Sequence, residues 1–344
     1  MKAIFPSPFS LADQNEAFEA YALDLFAFQF ELNPVYGSFC RLLKRTPAKV
    51  NTLKDIPYLP ISFFKTHEVR TEVPGGFEIE QLGKSREKEG DHPFYFTSSG
   101  TTGAETSKHF VPDVSLYEAS YNKAFSLFYG HVQKYCVLAL LPAYLEREGS
   151  SLIYMAQDLI AQSNHPQSGF YLHNHEALYK TLLDLESKNT PVFLIGVSFA
   201  LLDFIEHYPM KLKNTIVMET GGMKGRRKEM IREALHQSIS GGFGIQKVHS
   251  EYGMTELLSQ AYSKGDGIFN TPPWMKVFIR DTEDPLSLIG NQRTGGVNII
   301  DLANIHSCAF IATQDLGKTF EDESFSILGR FDNAAIRGCN LLVP

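Results

Sequence analysis

Four cysteines, one tryptophan, no basic run and no long apolar stretch are what this sequence has little of, and each shortage removes a class of function. Cys40, Cys136, Cys308 and Cys339 are scattered without C-x-x-C spacing, which excludes a zinc ribbon or a disulfide framework and leaves reduced thiols as the expectation. No apolar run reaches the roughly 18 residues of a membrane helix, and the N-terminal "MKAIFPSPFSLADQNEAFEAY" lacks the apolar core of a signal peptide. The expectation is a cytoplasmic protein with no integral membrane segment. A net charge of −7 without an Arg-rich face excludes a nucleic-acid partner. The G-x-x-x-x-G-K-[ST] spacing of a P-loop is absent too, as are internal repeats, low-complexity tracts and long polar linkers.

What is present fits a globular chain of 344 residues, 43% hydrophobic and 21% charged, long enough for about two domains at roughly 150 residues each. The first stretch is helical and aromatic-rich. "NEAFEAYALDLFAFQFELN" sets Phe18, Ala22, Leu25 and Phe26 on one face, and Asn33-Pro34 ends it. "DIPYLPISFFK", 55–65, reads as an extended segment laid against the main body. From about residue 92, apolar runs at 93–98, 135–142, 191–198, 214–220 and 247–253 alternate with amphipathic stretches at 113–129, 151–162, 175–187, 198–208 and 223–237. Near-continuous apolar strands separated by helices predict an α/β fold, with mostly parallel sheets flanked by helices. Four strand-like runs between 273 and 330 add an antiparallel sheet or small barrel. The expected organisation is an N-terminal segment, 1–90, packed on the body; an α/β body, 91–272; and a β-rich subdomain with a tail, 273–344.

"FTSSGTTGAETSKHF", 96–110, gathers three Ser, four Thr and two Gly around one Lys. Between a strand-like "PFYF" and a helical stretch, it has the strand-loop-helix setting of an anion site. Gly100 and Gly103 free the backbone to turn its N–H groups toward phosphate oxygens. The hydroxyls of Thr97, Ser98, Ser99, Thr101 and Thr102, with the charge of Lys108, add donors for a polyphosphate. An ordinary Ser/Thr/Gly turn is the competing reading.

Companions follow in order. "SEYGMTE", 250–256, puts Tyr252, Thr255 and Glu256 on a turn at Gly253; Thr255 can bond a phosphate and Glu256 can hold Mg²⁺. Asp315 in "TQDLG" ends a strand where a carboxylate can accept from ribose hydroxyls, and "GRFDNAAIRG" adds Arg330 and Asp332. His249 either touches nucleotide or satisfies a strand end. "HNHE", 173–176, lacks a third metal ligand and reads as a surface loop. Tyr144, Glu146, Arg147 and Ser151 in "LPAYLEREGSS" read as a solvated loop rather than the border of a binding pocket.

Together these segments resemble the adenylate-forming superfamily of acyl- and aminoacyl-activating enzymes. The loop is similar to its phosphate-binding signature, residues 252–256 to its YGxTE motif, and "ETGGM" with Gly221 and Gly222 to its adenine-side glycine segment. Asp315 is similar to its ribose aspartate and "GRFD" to its hinge motif. The fold this implies is the large N-terminal part of those enzymes, with ATP and Mg²⁺ as cofactors. A narrower resemblance rests on "ELNPVYGSFCR", "DIPYLPISFFKTHEV", "LLPAYLEREGSSLIYM" and "IRGCNLLVP", which look like the LuxE-type acyl-protein synthetases. It implies activation of a long-chain fatty acid to acyl-AMP and capture of the acyl group on a cysteine near the C-terminus. Delivery to an acyl reductase or acyl carrier protein partner would follow.

Cys339 is the candidate thiol: Gly338 permits close approach and Arg337 can stabilise its thiolate, against the reading of a buried small hydrophobe. Cys40, Cys136 and Cys308 read as core. The superfamily's late lysine has no counterpart, since no lysine follows Lys318; Lys108, Lys224 or Arg337 would have to supply its charge. Two other functions stay open, an acyl-CoA ligase of phenylacetate type and a non-catalytic nucleotide- or acyl-binding subunit.

Overall fold

Asn33 does two jobs in the first helices. It follows the helix Asn15–Leu32, and its side chain then accepts from the Tyr36 amide at 3.0 Å to cap the next helix, Pro34–Leu42, with proline at the first position. The long helix buries Phe18, Tyr21, Ala22, Leu25, Phe26 and Phe30, the three-and-four spacing read from the sequence. In this computed structural model the residues described are 3–11, 15–72, 77–79, 94–98, 106–142, 149–221 and 230–331, with backbone alone for 3–5 and 77–79.

The chain forms two compact units, Met1–Gln81 with Pro273–Pro344, and Leu82–Pro272. In the first, five strands pair in the order Leu288–Ile289, Met275–Arg280, Gly295–Asp301, Phe310–Thr319 and Phe325–Arg330, all antiparallel. The N-terminal helices are held to this sheet by buried polar groups. The Gln29 amide donates to the carbonyls of Asn304, at 2.8 Å, and Ile305, at 3.1 Å, and its oxygen accepts from the Ala309 amide at 3.0 Å. Asn33 Nδ2 and Thr71 Oγ1 both donate to the Ser307 carbonyl at 2.8 Å. Tyr36 stacks on Phe310. Of the segment expected to be extended over 55–65, Leu59–Pro60 lies parallel to Ile311 and Ala312, whereas Phe63–Thr66 is a short helix.

The second unit has the parallel order Gly169–Phe170, Cys136–Leu140, Val192–Val197, Thr215–Thr220, His249–Tyr252, continued antiparallel by Ala261–Ser263 and Ile268–Asn270. Val192–Val197 is buried throughout because helices cover both faces. Phe193 meets Phe125 and Tyr129 of the helix Val114–Tyr129, while Gly196, on the other face, lies under Leu201 of Ser198–His207. The chain runs from Cys136–Leu140 to one side and returns on the other, which makes the carboxyl end of that strand the switch point where open α/β sheets bind ligands. The fold class expected from the sequence is the one found.

One helix differs in place. A helix expected at 223–237 lies at Arg232–Phe243, while 222–229 fall outside the described residues. It runs through Gly241 and Gly242, which the sequence argues against, because Gly242 sits so close to Ile205 that a methyl group there would come within 2.6 Å of it. Among the described residues no helix is long and apolar enough to cross a membrane.

Gln29 is fully buried and satisfies three backbone groups at once. The substitution Gln29→Ala is expected to lower the unfolding free energy by about 3 kcal/mol, read as a shift of the urea midpoint, because those groups lose partners they cannot replace with water.

Candidate functional site

The hydroxyl-rich loop is not followed by a helix, as the sequence suggested, but by a strand. Tyr95–Thr97 and Lys108–Phe110 pair antiparallel, Thr97 opposite Lys108, so the setting is strand-loop-strand. The next helix begins at Val114, and its N-terminus is already occupied by the Asp113 carboxylate, which accepts from the Ser115 amide at 3.0 Å. The run "KHF", read as part of the loop, pairs as a strand with Lys108 exposed and His109 and Phe110 both buried.

The neck of the loop is closed twice: the Ser98 amide donates to the Ser107 carbonyl at 3.1 Å, and the Ser107 amide donates to Ser98 Oγ at 2.9 Å. Among the described residues the Ser98 hydroxyl accepts one bond and donates none. The Thr97 amide donates to the Gly149 carbonyl at 2.7 Å, and Gly149 takes a φ of +80° beside the Thr97 hydroxyl, which a methyl group there would approach to 2.8 Å. Lys108 is exposed, with its ammonium 5.7 Å from the centre of the Tyr95 ring. Ser99, Gly100, Thr101, Thr102 and Gly103 lie outside the described residues, as do Gly222, Asp332, Cys339, Tyr144, Glu146 and Arg147.

His109, to which the sequence reading gave no role, ties this hairpin to the Tyr252–Glu256 turn. It is 1% exposed, and burial lowers its pKa to about 4, so the ring is neutral and Nδ1–H donates to the Thr255 carbonyl at 2.8 Å. Nothing in "SKHFV" marks this histidine apart from a core residue; only its partner does. The Leu257 amide closes the turn on the Met254 carbonyl at 3.1 Å. The Tyr252 ring lies 5.8 Å from that of Phe269, and Glu256 is buried, 5% exposed.

Two further carboxylates lie near the turn, Glu251 on the strand that leads into it and Glu219 on the neighbouring strand. Glu251 sits beside Thr220, whose hydroxyl donates to it at 2.5 Å. Burial pushes the Glu251 carboxyl up to about 7; the Thr220 hydrogen bond opposes the shift and the charge of Glu219 adds to it. On the opposite face Glu219 lies 3.2 Å from Ser198 Oγ and faces His236 Nε2 at 3.5 Å, which in turn is 3.3 Å from Ser250 Oγ. Ser198 Oγ also donates to the Gly221 carbonyl at 2.6 Å, fixing the start of the glycine segment. Glu219, Glu251 and His236 were missed because in sequence they look like ordinary polar residues at strand ends and on a helix.

In the other unit the sheet register sets Asp315 opposite Arg330, and Arg330 Nε lies 3.2 Å from Asp315 Oδ1 with its own side chain 72% exposed. The Asp315 amide donates to Thr313 Oγ1 at 3.1 Å. His249 lies 3.2 Å from the Tyr129 hydroxyl, with its pKa lowered to about 4 by burial and then by Lys264 and Lys247. "HNHE" is a helix start rather than a loop: Asn174 caps His175–Ser187 by accepting from Ala177. Ser151 likewise opens a helix, Ser151–Ser163, and its carbonyl accepts from the Tyr117 hydroxyl at 3.0 Å. Cys40, Cys136 and Cys308 are buried and their thiols are pushed up, Cys40 to about 12, by that burial. Among the described residues no group of three or more His, Cys, Asp or Glu could hold a metal ion.

No protein-family model matches the chain, and no curated protein does. Solved structures do match. The structure of 2-hydroxyisobutyryl-CoA ligase in complex with 2-HIB-AMP and CoA superposes with a TM-score of 0.65 at 12% identity, covering 94% of this chain and 70% of that one. ATP-bound MatB from Rhodopseudomonas palustris gives a TM-score of 0.51 at 17% identity, over 69% of this chain and 47% of MatB. The apo form of MatB gives 0.51 at 16%, over 72% and 48%. The fold is shared. This chain spans about half the length of the MatB structures.

The buried carboxyl of Glu251 gives a pH signature. Its folded pKa, about 7, lies above the ordinary 4.5, so its contribution is fully present below about pH 4.5 and is lost as pH rises through about 7. Relative to the Glu251→Gln variant, the parent is expected to lose about 3 kcal/mol of stability between pH 4 and pH 8. Denaturant unfolding of both proteins at several pH values reads this directly; parallel pH dependences would contradict it.

Proposed function

We propose that this protein activates a carboxylic acid with ATP to form acyl-AMP. The acid is a long-chain fatty acid, and the acyl group passes to the Cys339 thiol as a thioester for delivery to an acyl reductase or carrier protein. The observation that carries the reading is the hydrogen bond from the buried His109 ring to the Thr255 carbonyl, which joins two segments similar to nucleotide motifs, within a fold shared with an acyl-AMP-bound ligase.

The residue roles follow the chemistry. A carboxylate oxygen attacks the α-phosphorus of ATP and pyrophosphate leaves, a transfer that depends on positioning and charge neutralisation more than on covalent help. Thr97, Ser98, Ser99, Gly100, Thr101, Thr102, Gly103 and Lys108 hold the β- and γ-phosphates. Gly221, Gly222, Tyr252 and Gly253 border the base, Thr255 bonds a phosphate, and Asp315 with Arg330 serves the ribose side. Glu256 fits Mg²⁺, because that ion commonly takes one or two carboxylates and completes its shell with phosphates and water, so a single buried carboxylate beside a threonine suffices. Mg²⁺ there would neutralise phosphate charge. In the second step the Cys339 thiolate attacks the acyl carbon and AMP leaves.

A second reading replaces Cys339 by coenzyme A as acceptor, favoured by the CoA held in the 2-hydroxyisobutyryl-CoA ligase complex. Intact mass after incubation with ATP, Mg²⁺ and fatty acids of graded length separates the two. A hydroxylamine-labile gain of one acyl group supports Cys339, whereas pyrophosphate release that yields acyl-CoA only when coenzyme A is added supports the second reading. Glu256→Gln is expected to lower pyrophosphate release by about a hundredfold. Cys339→Ser is expected to keep pyrophosphate release and lose the adduct.

A further inference from the structure

The parallel strands Val192–Val197 and Thr215–Thr220 pair as far as Val197 and Thr220, and there the ladder stops, because the chain enters a helix at Ser198 and the glycine segment at Gly221. Ser198 supplies the next rung with its side chain: Oγ donates to the Gly221 carbonyl at 2.6 Å. It also lies 3.2 Å from Glu219 Oε2, but a hydroxyl has one proton and the shorter contact takes it. Glu219 faces a second partner with its other oxygen, His236 Nε2 at 3.5 Å.

Burial differs at the two ends of this bond. Ser198 is 1% exposed, whereas Gly221 is exposed and takes a φ of +65°, a left-handed conformation that glycine adopts freely. A buried side chain thus anchors an exposed glycine whose backbone has more conformations open to it than that of any other residue type. Fixing the carbonyl fixes the plane of the peptide it belongs to. That ordering is complete before a ligand arrives, so a ligand that meets the peptide does not bear the entropy of arranging it.

We propose, on the reading that Gly221 and Gly222 border the base, that Ser198 is a positioning residue for the nucleotide: it sets the affinity for the adenosine end of ATP and leaves the affinity for the phosphates unchanged. In this role Ser198 touches no substrate and acts through Gly221. The phosphates fall to residues 97–108 and to the turn 252–256, and among the described residues Ser198 bonds to neither. Replacing Ser198 by alanine leaves the Gly221 carbonyl to water, because Gly221 is exposed, so the fold is retained and the prior ordering is lost.

The test is isothermal titration of the full chain with ATP and with inorganic tripolyphosphate, both with Mg²⁺, on the parent and on Ser198→Ala. The variant is expected to bind ATP about tenfold more weakly, the cost of ordering one residue's backbone on binding, and tripolyphosphate as the parent does. In pyrophosphate release the same split appears as a KM for ATP raised about tenfold with kcat kept. Without ligand, hydrogen exchange of the segment 219–223 is expected to quicken in Ser198→Ala while the rest of the chain exchanges as in the parent. Equal ATP affinity in the two proteins, an equal loss for tripolyphosphate, or unchanged exchange at 219–223 would overturn the proposal and leave the adenylation reading in place. A parent that binds no ATP would overturn both.

Discussion

The hydrogen bond from His109 to the Thr255 carbonyl is the constraint on which the candidate site depends. The two residues are 146 positions apart in the chain, and the bond forms where burial has removed the imidazole's charge. A neutral ring with one N–H has a single donor to place, and it places it on the backbone of the turn that carries Tyr252, Thr255 and Glu256. The hairpin holding the hydroxyl loop is thereby referenced to that turn through rigid backbone. Thr97 adds a second reference through the Gly149 carbonyl, so the base of the loop is held from two directions.

Polar groups organise the first unit in a comparable way. Gln29 and Asn33, on or just after an otherwise apolar helix face, do not merely tolerate burial; their amides serve the backbone of residues 304–309, which has no regular ladder of its own to satisfy it. The result is a helix whose position is specified by directional bonds as well as by the packing of Phe26 and Tyr36 on Phe310. Arg280 does the same inside the sheet, donating to the Val297 and Thr313 carbonyls and to Asn298.

Much of the architecture was legible in the sequence because it follows from local pattern. The buried runs at 136–140 and 192–197 read as strands of a covered parallel sheet, and the spacing of Phe18, Ala22, Leu25 and Phe26 read as a helix face. Segments after 273 read as antiparallel strands. What failed was local pattern overruled by tertiary contact: "KHF" pairs as a strand because Phe96 and Thr97 are there to receive it, and a helix accepts Gly241 and Gly242 because Ile205 leaves no room for a side chain at Gly242. Of the candidate residues, Tyr252, Thr255 and Glu256 were legible as a turn, whereas Glu219, Glu251 and His236 carried no signal beyond being polar.

The sequence by itself determined the sheet and helix pattern, the hydroxyl-rich composition of the loop and the absence of a cysteine framework, because period, turn residues and residue chemistry are local properties. Only the tertiary structure decided which side chains share a site and in what state. His109 is neutral and Glu251 keeps a proton near neutrality because of what surrounds them, and Asp315 meets Arg330 through sheet register. Desolvation and register are set by residues distant in the chain, which is why no reading of neighbours along the sequence could supply them.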